Sequence, residues 1–119
     1  MLSPLAVQFH LPEKFASMSR REKLEKLLAQ SPQDSFLQYA LALERSKEGD
    51  PSGAIASLKE LLETAPDYVP TYFQLAQMQV DQGQTEEAKP VLTRGIEMAR
   101  RAGDSHAEGE MRGFLEQLF

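Results

Sequence analysis

An all-α fold is predicted by three features of the chain: a helix-favouring composition, amphipathic stretches cut apart by Gly and Pro, and a motif that returns at one fixed spacing. Glu, Leu, Ala, Gln, Lys and Arg dominate its 119 residues, while Val, Ile and Thr are scarce. Leu41 and Ala42 recur as Leu75 and Ala76, Gly49 as Gly83, Ala54 as Ala88 and Leu58 as Leu92, each pair 34 residues apart. One chain of this length fits a single domain with one modest core.

The elements follow in order. Ser19 to Pro32 opens on a capping box, with Ser19 followed three residues on by Glu22, so that each side chain can satisfy the other's backbone N–H. Leu24, Leu27 and Leu28 then form an apolar stripe, and Ser31-Pro32 stops the helix because the residue before proline is pushed out of the helical region. A second helix is expected over about 33–48, with Leu37, Ala40, Leu41 and Glu44 on one face and Phe36, Tyr39 and Leu43 on the next. Two apolar faces imply contact from two sides. Gly49 ends it.

The third helix, about 52–64, presents Ile55, Leu58, Leu61 and Leu62. Pro70 suits the first turn of the fourth, which runs to about Gln82 and stops at Gly83. Thr85, Glu86 and Glu87 open a fifth that continues to about Arg101, with a local bend expected at Pro90. A last helix, about 105–118, has Ala107, Met111, Phe114, Leu115 and Leu118 on one stripe, with Glu108, Glu110, Arg112 and Glu116 opposite. No segment has the alternation of a half-buried strand.

Charge and composition narrow the function. A net charge of −5 argues against a nucleic-acid partner, since phosphates demand a basic surface. Arg20, Arg21, Lys23 and Lys26, and later Arg94, Arg100 and Arg101, sit among carboxylates and read as solvated helix faces. The absence of cysteine excludes disulfides and thiolate metal sites and fits a reducing cytoplasm, the expected location. No apolar run approaches the roughly 20 residues of a membrane span.

A period of 34 with two helices per unit resembles the tetratricopeptide repeat, in the style of a small bacterial-type member. Tyr72, Leu75 and Ala76 match the family's first helix, Gly83 its turn, and Ala88 and Leu92 its second helix; Ala54, Leu58 and Pro66 match one repeat earlier. The resemblance implies a short right-handed solenoid of antiparallel helix pairs, divided into a half-repeat (19–34), repeats 35–68 and 69–102, and a solvating capping helix (104–119). Small residues let helix axes approach, and larger ones fill the space between. Departures occur at Gln38 and Arg45, where the family places large apolar residues, at Gly95, where alanine is usual, and at Arg100, which replaces the closing proline.

Residues 1–18 stand outside the pattern. Met18 followed by Ser19, Arg20, Arg21 and Glu22 resembles a protein start, so three readings are open: an upstream start, a flexible arm, or an arm packed on the repeats through Leu5, Val7, Phe9, Leu11 and Phe15.

Catalysis is not expected, and neither is a cofactor or a metal. His10 and His106 lack any ligand spacing, and Glu86 and Glu87 favour a helix N-terminus. The turn at Gly49 to Gly53 lacks a phosphate-binding fingerprint. By the resemblance, first helices line a concave face that binds a protein or peptide. The positions implied are Phe36, Tyr39, Ala40, Leu43 and Lys47, then Phe73, Gln74, Gln77, Val80 and Asp81. The family's basic clamp for a C-terminal carboxylate needs Lys, Asn and Arg where this chain has Tyr39, Leu43, Phe73 and Gln77, so an apolar helix or segment is the expected ligand. Two other uses stay open: the rings of Phe36, Tyr39 and Phe73 can serve internal packing, and an exposed helix face can make a homodimer.

Overall fold

The computed structural model describes residues 17–119, so residues 1–16 of the expected arm over 1–18 lie outside them. Every regular element among the described residues is a helix: α1 (Arg20–Gln30), α2 (Ser35–Lys47), α3 (Pro51–Thr64), α4 (Pro70–Asp81), α5 (Thr85–Ala102) and α6 (Ser105–Glu116). Each packs on the next in sequence, the arrangement of a helical solenoid. Among the described residues no helix is long and apolar enough to cross a membrane.

Local chemistry fixes the ends. Ser19 Oγ accepts from Glu22 N at 3.1 Å while Glu22 Oε1 accepts from Ser19 N at 3.3 Å, completing the expected capping box. Three aspartates cap later helices: Asp34 accepts from Leu37 N at 3.0 Å, Asp50 from Gly53 N at 2.9 Å and Asp104 from Ala107 N at 3.0 Å. These caps move two starts from their expected places, to Ser35 in α2 and to Pro51 in α3, where proline occupies the first turn. Gly49, Gly83 and Gly103 all adopt positive φ, which explains the glycine shared by the first two turns. α5 runs unbroken through Pro90, whose missing N–H forfeits one bond near the helix start.

The 34-residue register has a counterpart in burial. Ala54 and Ala88 are fully buried, as are Leu58 and Leu92, and Leu41, Ala42, Leu75 and Ala76 are buried with them. One core joins α2 through α6, and a smaller one gathers Leu24, Ala40 and Leu41 with Leu28 and Leu37 around α1. At the centre stands Tyr72, fully buried, its hydroxyl donating to Pro66 O at 2.5 Å. Burial raises the Tyr72 pKa, with Asp67 adding to the rise and Arg94 opposing it, so the phenol stays a donor.

Candidate functional site: an aromatic groove across three helices

Tyr39 on α2 and Phe73 and Gln74 on α4 line one groove of about 280 Å³, and α6 supplies its other wall. Three of the concave positions implied by the repeat register therefore converge. Val69 and Pro70 at the start of α4 and the buried Met111 of α6 complete its lining.

The rings are held edge to face. Tyr39 packs on Tyr68 with centroids 5.7 Å apart at 63°, and Phe73 packs on Phe114 of α6 at 5.7 Å and 67°. Both Tyr39 and Phe73 are partly buried against the main core, so packing and groove lining are shared by the same side chains. Burial pushes the Tyr39 hydroxyl above the usual phenol range, Tyr68 adds to the rise, and a hydrogen-bonding Gln74 opposes it. Tyr68 is raised by burial and by Asp34. Both hydroxyls are thus protonated at neutral pH and available as donors.

The remaining implied residues are placed differently. Phe36 is 58% exposed, while Leu43, Gln77 and Val80 are half-buried and do not line the groove. What the repeat register missed is the wall made by Asp104, His106, Ala107 and Glu110. The resemblance assigned α6 a solvating role, yet one edge of this helix faces the groove. The same stripe that contains Ala107 and Met111 was legible, but its placement beside Phe73 depends on tertiary packing.

A larger cavity, about 500 Å³, lies where α1, α2 and α3 meet, lined in part by Leu28, Leu41 and Leu61. Arg45, standing where the family places an apolar residue, also lines it and donates through Nη1 to Ser57 Oγ at 2.6 Å. None of the implied concave residues reaches it.

Among the described residues no group of three or more His, Asp or Glu is clustered to hold a metal. The groove's chemistry is apolar contact, aromatic faces and a few polar rim atoms, which suits recognition of a polypeptide surface.

Comparisons with known proteins agree with this architecture. A family model described as tetratricopeptide repeat matches residues 46–107. A TPR repeat-containing protein of Pseudomonas aeruginosa is 30% identical over 97 residues, covering 82% of this chain and 92% of that one. The solution structure of a tetratricopeptide repeat domain protein from Salinibacter ruber is 37% identical, with a TM-score of 0.71 over 73% of this chain and 88% of that chain. A protein from Bordetella parapertussis, also solved in solution, is 25% identical with a TM-score of 0.72 over 85% of this chain and 88% of that one. With the register, the alanine joints, the helix pairing and these relatives in agreement, the chain belongs to the tetratricopeptide repeat family.

Proposed function

We propose that this chain is a non-catalytic, cytoplasmic protein-interaction module, an adaptor that takes an apolar helix or extended segment of another protein on its concave face. Its units are read as the half-repeat 19–34, the repeats 35–68 and 69–102, and the cap 104–119. The observation that carries the reading is the convergence of Tyr39, Phe73 and Gln74, from two successive repeats, on one groove. Aromatic anchors in such a groove contribute typically about 2 kcal/mol or more to binding.

The test is capture from the native lysate by the intact chain and by Tyr39→Ala with Gln74→Ala. The reading expects the variant to lose the wild type's specific partner while keeping its helical circular dichroism. Equal capture by both proteins would place the partner elsewhere.

A second reading, homodimerisation, is favoured by Leu27 and Phe36, which are 47% and 58% exposed. Light scattering at several concentrations separates the two. A mass that doubles with concentration, and falls back in Leu27→Glu with Phe36→Glu, supports self-association; a constant monomer mass opposes it.

A further inference from the structure

The charges around the groove are one-sided. Of the residues lining it, Asp104 and Glu110 are the acids, His106 is the one titratable base, and no lysine or arginine is present. Just outside, Asp34 is close enough to raise the pKa of Tyr68, whose ring packs on Tyr39. Several carboxylates elsewhere, by contrast, lie within ion-pair distance of a guanidinium group. Arg20 pairs with Glu44 at 3.2 Å, Arg21 with Glu48 at 3.3 Å, Arg100 with Glu97 at 2.7 Å and Arg112 with Glu108 at 2.8 Å.

The groove carboxylates have weaker company. Glu110 has His106 at 3.3 Å, a partner that carries charge only when protonated. Asp104 spends Oδ1 on the backbone N–H of Ala107, an uncharged donor that leaves the carboxylate's negative charge in place. Beside them stand the rings of Tyr39 and Phe73. Aromatic faces next to carboxylates form a cation-recognising surface: the rings hold a long aliphatic stem or the cation itself, and the carboxylates take the charged head.

We propose that the groove selects a basic amphipathic segment of a partner protein, with an Arg or Lys side chain reaching Asp104 and Glu110 and a neighbouring apolar side chain on Tyr39 and Phe73. This rests on the interaction reading above and names the chemistry of its partner. Complementary charge would add specificity and association rate more than raw affinity.

The experiment measures anisotropy of a fluorescein-labelled synthetic peptide built of Leu and Arg at helical spacing, against the same peptide with Gln and with Glu in place of Arg. The intact chain is used throughout, at low and at high sodium chloride. The Arg peptide is expected to bind about fivefold or more tighter than the Gln peptide at low salt, the Glu peptide weakest, with the difference shrinking as salt rises.

Asp104→Asn with Glu110→Gln should erase the Arg preference, and asparagine keeps the α6 cap so that folding is not at issue. Tyr39→Ala should weaken the Arg and Gln peptides alike. Equal binding of the Arg and Gln peptides, still lost in Tyr39→Ala, would overturn the charge selection and leave the interaction reading standing. An Arg preference that survives Asp104→Asn with Glu110→Gln would also overturn it, placing the cation elsewhere. Absence of binding by every peptide would count against both readings.

Discussion

Gly95 and Tyr72 approach so closely that a Cβ on Gly95 would stand 2.6 Å from the Cβ of Tyr72, and equally close to Met111 Sδ. Three helices meet at this point: α4 brings the tyrosine, α5 the glycine and α6 the methionine. Gly95 replaces the family's usual alanine because that space is filled by a fully buried ring and a nearly inaccessible thioether. The junction positions α6 and, with it, the outer wall of the groove.

Gly95→Ala is therefore expected to destabilise the protein by about 1–3 kcal/mol, although alanine is the better helix former by about 1 kcal/mol. Thermal or urea unfolding decides the sign. A stabilised variant would show that the junction relaxes easily.

The alanine joints give a parallel expectation. Ala88 is fully buried where α5 crosses α4, so Ala88→Leu should overpack the contact at a cost of about 1–3 kcal/mol. Ala56, exposed on α3, is the control, and Ala56→Leu should leave the urea midpoint almost unchanged. Equal midpoints for wild type and Ala88→Leu would refute the assigned joint.

Acid stability offers a third. A hydrogen bond from Arg112 lowers the Glu108 pKa, burial opposes the shift, and the charges of Arg112 and Arg100 reinforce it. A carboxyl that is more acidic folded than unfolded stabilises the fold above its unfolded pKa, and that contribution fades as pH falls through the folded value. Glu108→Gln should lower the urea midpoint at neutral pH and match wild type near about pH 2, where both side chains are neutral. A gap independent of pH would assign the effect to packing.

Much of this was written in the chain. Ser19 and Glu22, the glycines at 49 and 83, and the paired alanines each follow from a local rule, because a cap, a left-handed turn or a close helix crossing admits few residue types. Gln79 was legible but missed: it continues the stripe of Tyr72, Leu75 and Ala76 and is 1% exposed, with Oε1 lacking a hydrogen-bond partner among the described residues. Polarity hid it from a search for apolar periodicity. The aspartate caps at 34, 50 and 104 were equally visible as residues three before a helical N–H. The groove was only half legible. Tyr39, Phe73 and Gln74 follow from the register, whereas Asp104 and Glu110 join them through the docking of α6, which no local rule encodes.

On the proposed function, a polypeptide docks in the groove between α2, α4 and α6. Backbone amide shifts of the isotope-labelled chain, titrated with the Leu/Arg peptide, test it most directly. The largest shifts are expected at Tyr39, Phe73, Gln74, Ala107 and Glu110, with α1 and the exposed face of α3 unmoved. Shifts centred on Leu28, Arg45 and Ser57 at the larger cavity, with the groove silent, would contradict it.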